Sequence, residues 1–196
     1  MFKSLESLGS VFQGLLLSRY RTTDDSLGKS YPVVQLRDLD FLSVAENLEP
    51  LCLNASPSSL KRYFLQEGDV VLTVRGTSQR ASVVDSRTVG AVVGQNLAVF
   101  RSSSRELDPL FLVVLLRSQW LEGRLSRLYG QSSGTRSLSL VQLRQLEIPV
   151  PELSVQRQVT QLFLAMESFT RATLGDLGSR QQLTELLLFK VLGDSQ

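Results

Sequence analysis

The chain of 196 residues has no histidine and a single cysteine, Cys52. That composition removes the commonest general base, any Ser-His or Cys-His nucleophile pair, the usual Cys/His zinc clusters and an internal disulfide. Carboxylates are the remaining catalytic option. Glu67-Gly68-Asp69 would suit magnesium in a nuclease, but the strand that follows carries Thr73 and Arg75 where a second acid and a lysine are wanted. Asp69 reads better as the residue that closes a turn. There is no Gly-x-x-x-x-Gly-Lys phosphate loop, and Gly90 and Gly94 lack dinucleotide-fingerprint spacing. The residues therefore predict a protein that is not an enzyme and uses neither cofactor nor metal. Cys52, between leucines, reads as a small core residue.

Binding chemistry is better represented. Arg75-Gly76-Thr77-Ser78-Gln79-Arg80 puts two arginines, a glutamine and hydroxyls at the end of a strand, and Ser132-Ser133-Gly134-Thr135-Arg136 repeats the mixture. Such side chains read base edges and hold phosphates, although the same composition also suits an ordinary solvated loop. Arg87 is a further cationic candidate. Net charge is only +2, but it is uneven: from Lys61 to Arg144 there are twelve basic residues against six acidic ones, so the two ends are net acidic. Arginine outnumbers lysine by seventeen to four. Its planar fork favours bidentate contacts with phosphate and guanine, and a GC-rich genome would produce the same bias.

These candidates need a scaffold. Residues 1–20 suggest a short initial helix and 21–30 a surface loop. A strand begins at Tyr31-Pro32-Val33-Val34, residues 48–57 read as a connection, and 58–63 as a helical turn. Turn residues 65–69 precede Val70-Val71-Leu72-Thr73-Val74-Arg75-Gly76, the clearest strand. Residues 81–84 and 89–101 are further β-rich pieces, bent at Gly90 and Gly94, which together make a curled, mostly antiparallel β body. Asp108-Pro109 opens a helix that is apolar nearly all round over 110–121, continued by 123–128. Residues 130–136 are expected as a flexible loop, 139–143 as a short helix and 146–151 as a closing strand.

After Ser154 the pattern turns helical. Val155, Val159, Leu162, Met166 and Phe169 recur at spacings of 4, 3, 4 and 3, a heptad seam. Gly175 and Gly178 interrupt it at about 1 kcal/mol each, and Leu183 and Leu187 resume the apolar face. A fully helical segment would span on the order of 50–60 Å, more than a body of this size covers. The expectation is an α+β chain: a β-rich domain with flanking helices over residues 1–151, then a coiled-coil-like dimerisation helix over 152–196. At the start, Leu15-Leu16-Leu17 is too short for a signal-peptide core or a spanning helix, which predicts a cytoplasmic protein with no membrane partner.

Several motifs follow one another in order. Leu8-Gly9-Ser10-Val11-Phe12 precedes Tyr31-Pro32-Val33-Val34-Gln35-Leu36-Arg37-Asp38-Leu39; then come Leu65-Gln66-Glu67-Gly68-Asp69-Val70-Val71-Leu72-Thr73-Val74-Arg75-Gly76 and Gly94-Gln95-Asn96-Leu97-Ala98-Val99-Phe100-Arg101. Pro109-Leu110-Phe111-Leu112, Gly134-Thr135, Ile148-Pro149-Val150-Pro151, Leu153, Gln156 and Val159 complete the series. It resembles the repeating unit of the DNA-specificity subunits of type I restriction-modification systems, with its "YPVIRIxDI", "LxxGDILxSxRG", "GQNxxxxR", "PxYLxxLLxS" and "IPxPxLxxQxxV" segments. The resemblance covers nearly the whole chain.

What it implies is a target-recognition domain gripping duplex DNA through loops, with Arg75, Thr77, Ser78, Gln79, Arg80, Arg87, Ser133, Thr135 and Arg136 as contacts. A spacer helix would then pack antiparallel on a second one. Family members carry two such units. One unit implies a homodimer joined through the seam and reading an inverted-repeat site, with a methyltransferase (modification) subunit as a further partner. The alternative is a stand-alone scaffold or adaptor with little DNA binding. The chain departs from the family where Val155, not an acid, precedes Gln156, and in a short spacer containing Gly175 and Gly178.

Overall fold

The computed structural model describes residues 1–22, 28–39, 41–76, 79–128, 130–132 and 135–169. The chain groups into two compact units, Met1–Arg157 and Gln158–Gln196. In chain order, β1 (Phe2–Ser4), the single turn α1 (Leu5–Leu8) and β2 (Gly9–Gln13) lead to β3 (Lys29–Val34), β4 (Pro50–Leu53) and the turn α2 (Pro57–Leu60). Five strands follow: β5 (Val70–Thr73), β6 (Arg75–Gly76), β7 (Ala81–Val83), β8 (Val92–Val93) and β9 (Leu97–Ser102). Then come α3 (Pro109–Arg117), α4 (Gln119–Leu128), β10 (Gly130–Ser132), β11 (Thr135–Ser137), α5 (Leu140–Arg144) and β12 (Glu147–Pro149), and finally α6, residues 153–169.

The architecture is α+β. A four-stranded antiparallel sheet, β2-β9-β5-β7, forms the centre, with smaller sheets β4-β3-β8, β10-β11-β6 and β1-β12 around it. β5 lies between β9 and β7, which explains why all four of its residues are buried. Val71 joins a cluster with Val34, Leu65, Val93 and Val99. By strand alternation Val70 and Leu72 face the other way, and α3 packs on β5 and β7. The apolar run of α3 meets that need: Phe111, Leu112, Val113, Val114 and Leu116 are buried, each contributing roughly 1.5–3 kcal/mol. Its start follows from chemistry legible in the sequence, since the Asp108 carboxylate accepts from the Leu110 and Phe111 amides and Pro109 occupies the first turn. A second cluster, including Tyr31, Val33, Leu51, Leu53 and Leu60, packs around β3 and β4.

The turn before β5 is anchored as its composition suggests. Gly68 has φ +81°, and Asp69 Oδ2 accepts from the Gln66 amide at 2.8 Å. Asp69 does more than close the turn. It is buried, and Arg101 on β9 grips it with both ends of its fork, Nε to Oδ1 at 2.8 Å and Nη2 to Oδ2 at 2.7 Å. Arg101 Nη2 also donates to the Phe64 carbonyl at 2.9 Å. With both carboxylate oxygens engaged, the acid weighed as a magnesium ligand is a structural residue.

Several elements differ from the sequence reading. The expected initial helix is a single turn between two strands, because residues 2–4 pair with 147–149 at the far end of the unit. Within the expected flexible loop at 130–136, residues 130–132 pair antiparallel with 135–137 as β10 and β11, and β11 pairs in turn with β6. The strand expected over 70–76 breaks at Val74, so that β5 and β6 belong to different sheets. In the expected β-rich piece 89–101, residues 86–90 form turns and only β8 and β9 are strands. The long helix expected over 110–128 breaks at Ser118, whose backbone is extended and whose hydroxyl accepts from the Leu121 amide at 3.3 Å. Among the described residues no helix is long and apolar enough to cross a membrane.

Candidate nucleic-acid interface

Two segments that composition singled out, separated by about sixty residues in sequence, lie on adjacent strands. β11 pairs antiparallel with β6, with Arg136 opposite Gly76 and Ser137 opposite Arg75. The backbone of Arg136 therefore runs beside that of the arginine excursion, and Thr135 begins the same strand. A long-range backbone bond secures the join: Val74 is buried, its carbonyl accepts from the Leu138 amide at 2.9 Å, and this ties the start of β6 to the end of β11.

The excursion from β5 to β7 is held at its base and underneath. The Thr73 amide donates to the Arg80 carbonyl at 2.9 Å, and the Arg80 amide donates to Thr73 Oγ1 at 3.3 Å, closing the neck. Below it, the Asn96 carbonyl accepts from both the Val74 amide, at 3.0 Å, and the Arg75 amide, at 3.1 Å. The Gly94-Gln95-Asn96 turn is thus the seat of the arginine excursion. The backbone of Gly14 crosses this turn so closely that a Cβ on Gly14 would lie 2.2 Å from the Gly94 carbonyl oxygen, which is why position 14 is a glycine.

Arg75 is exposed, and no carboxylate among the described residues lies within ion-pair distance of it. Arg80 lines an open cleft of about 430 Å³ together with Gln35, Arg37, Gln95 and Asn96. Gln79 is half-buried beside it in sequence. Thr77, Ser78 and Ser133 lie outside the described residues. Arg87 sits elsewhere, beyond β7 near the opposite end of β5, where its guanidinium is paired with Asp85 and Glu46. That pairing raises the Arg87 pKa, chiefly through the hydrogen bond to Asp85, and the same bond holds the Asp85 carboxyl below its ordinary value.

Sequence reasoning missed three structural supports: Asn96 beneath Arg75, the Asp69–Arg101 pair, and Gln156. Gln156 is fully buried at the start of α6, where it donates to the Glu106 and Pro151 carbonyls at 2.6 and 2.7 Å and accepts from the Asp108 amide at 2.8 Å. Each stands inside one of the ordered motifs, and that position was the available signal. On the seam, Val155, Val159 and Leu162 are 42%, 39% and 65% exposed, and Met166 and Phe169 are exposed as well. Leu183 and Leu187 lie outside the described residues.

Comparison with known proteins identifies a family and similar folds. The type I restriction modification DNA specificity domain matches residues 55–174. The putative MjaX type I restriction enzyme specificity subunit of Methanocaldococcus jannaschii is 19% identical over 141 residues, covering 70% of this chain and 33% of its own. The solved HsdS subunit of Thermoanaerobacter tengcongensis aligns with a TM-score of 0.63 at 20% identity, over 88% of this chain and 38% of that one. A chain from a structural study of complex assembly and conformational transition in a type I restriction-modification system aligns with a TM-score of 0.65 at 20% identity, over 93% and 43%. At these identities the likeness to solved structures is one of fold. The chain spans between a third and a half of the length of these relatives.

Proposed function

The chain belongs to the type I restriction modification DNA specificity family, and from that premise we propose that it recognises duplex DNA without altering it, at the edge where β6 and β11 meet. One observation carries this reading: the pairing of Arg136 and Ser137 with Gly76 and Arg75 sets the backbones of two polar segments side by side, with Arg75 exposed and unopposed by carboxylate among the described residues. Arginine there suits phosphates and guanine edges, while Gln79, Arg80 and the hydroxyls of Thr77, Ser78, Ser133 and Thr135 extend the contact. Residues 1–151 act as the recognition domain and 152–196 as the spacer. The heptad spacing and the exposure of Val155, Val159 and Leu162 support a homodimer built on that helix. A methyltransferase subunit, working in the cytoplasm on the same DNA, would carry the chemistry this chain lacks.

The experiment is a light-scattering mass of the purified chain, alone and with duplex DNA at low and moderate salt, repeated for Arg75→Ala/Arg80→Ala. The expected results are a dimer and DNA association that weakens with salt. The double variant keeps its fold but binds about tenfold more weakly, and its salt dependence is shallower by roughly 0.9 for each phosphate it no longer neutralises. A dimer indifferent to DNA at low salt would replace this reading with an adaptor; a monomer would remove the spacer's role.

A further inference from the structure

Away from the β6–β11 edge the fold gathers a second set of cations. Arg19, Arg21, Lys29, Lys61 and Arg62 are exposed, and none lies within ion-pair distance of a carboxylate among the described residues. The sequence disperses them: three come from the first sixty residues, where five basic residues face seven acidic ones. In the structure they border one apolar cluster, built on Tyr31, Leu53 and Leu60. Arg21 and Lys29 both pair with Leu53, from opposite sides of β4, so their side chains leave the same face with Cα atoms about 10 Å apart. Lys29 Nζ lies 5.8 Å from the centre of the Tyr31 ring, which in turn packs on Phe64. Arg62 lies over Tyr63 at 5.1 Å and Arg19 over Tyr20 at 5.9 Å, both tyrosines being half-buried against the same cluster. A cation held against an aromatic face is already partly ordered, so it loses less freedom on meeting an anion.

β3 connects this surface to the recognition edge. Its Val34 end meets the turn that seats Arg75, where the Gly94 amide donates to the Val34 carbonyl at 3.0 Å. Lys29 begins the same strand, roughly 17 Å away, which is about five base-pair steps of duplex. Asp24 and Asp25 fall between Arg21 and Lys29 in sequence and outside the described residues; with them, residues 19–29 together with Lys61 and Arg62 hold five cations and two acids. Such an excess spread over an extended surface suits an extended polyanion, and Arg, Lys and Tyr side chains hold phosphate oxygens without reading sequence. We propose that Arg19, Arg21, Lys29, Lys61 and Arg62 form a second, sequence-independent surface that grips backbone phosphates of the duplex outside the recognised bases. The inference rests on the DNA-recognition reading above and extends the DNA it holds beyond the β6–β11 edge.

The test begins with selection of a random duplex library by the full chain, for the parent, Arg21→Gln/Lys29→Gln and Lys61→Gln/Arg62→Gln. The enriched sequence is then carried in duplexes that end at its edges and in duplexes with arbitrary flanks of about one helical turn on each side, and affinity is measured by fluorescence anisotropy over a salt series. Melting curves check each fold, and either double variant carries the test alone. The parent should bind the flanked duplex more tightly whatever the flanking sequence. Each double variant should enrich the same motif, bind the flanked duplex about tenfold more weakly near 0.1 M salt, and show a salt dependence shallower by roughly 0.9 for each phosphate lost. Folded variants that keep the parent's affinity and salt dependence on the flanked duplex overturn this inference alone, as does a parent that gains nothing from flanks. An altered motif overturns it in favour of base reading by these residues. A parent that enriches nothing overturns the DNA-recognition reading, and this inference with it.

Discussion

The two ends of β5 use arginine in opposite ways. At the Val70 end, Arg101 is clamped bidentately onto buried Asp69, and Arg87 is paired with Asp85 and Glu46. At the Thr73 end, Arg75 is exposed with no carboxylate within ion-pair distance among the described residues. A guanidinium already holding a carboxylate is part of the structure. One presented on a rigid strand without an acid is available for an anion from outside. Basic residues in this chain therefore cannot be counted as equivalent, and the concentration of arginine between residues 61 and 144 conceals a division of labour between the two ends of one strand.

The strongest way to break this contrast is at the buried pair. Asp69→Ala leaves the Arg101 guanidinium without its partner, and urea unfolding should show destabilisation of about 3 kcal/mol. A change below about 1 kcal/mol would mean that the pair is not an anchor. At the opposite end, Arg75→Ala should leave the unfolding midpoint where it is and reduce DNA affinity by about tenfold, measured by fluorescence anisotropy at fixed salt. Arg87→Ala sharpens the comparison, since its charge is already neutralised on an exposed surface. Its expected effect is a small shift of the unfolding midpoint and a smaller change in DNA affinity than that of Arg75→Ala.

The smallest effect concerns pH. The hydrogen bond from Arg87 holds the Asp85 carboxyl below its ordinary value, so its contribution is fully present above the unfolded carboxylate range and disappears only as pH falls through the lower, folded value. Asp85→Asn and the parent should therefore differ by the same small melting-temperature gap between about pH 5 and pH 8. The gap should close only in acid. A gap that changes near neutrality would point to a different titrating partner.

Parts of the fold were legible because their causes are local. The Asp108-Pro109 start of α3 is capped by the side chain that its sequence offers, and the Gly68-Asp69 turn is closed as its composition suggests. β5 is a buried strand because four consecutive apolar or β-branched residues suit no other place in an antiparallel sheet core. The arginine excursion was legible as polar chemistry at the end of a strand. Its neighbour was not: residues 130–136 are rich in glycine and serine and read as a loop, yet 130–132 pair with 135–137 and β11 pairs with β6, a partner distant in sequence. Likewise Gln156 looks like one more polar residue on an amphipathic helix until the carbonyls of Glu106 and Pro151 surround it.

The sequence by itself narrowed the class of chemistry: with no histidine and one cysteine it excluded histidine-based catalytic pairs and Cys/His zinc sets, and its ordered motifs pointed to DNA recognition. It also determined the local devices, turns, caps and the buried strand, because these depend on residues within a few positions of one another. Tertiary structure alone decided which arginine meets which acid and that the backbones of Arg136 and Arg75 lie on paired strands. Those outcomes depend on strand pairing between residues about 30 to 150 positions apart, where register and burial choose the neighbours and the identity of either partner does not specify the other.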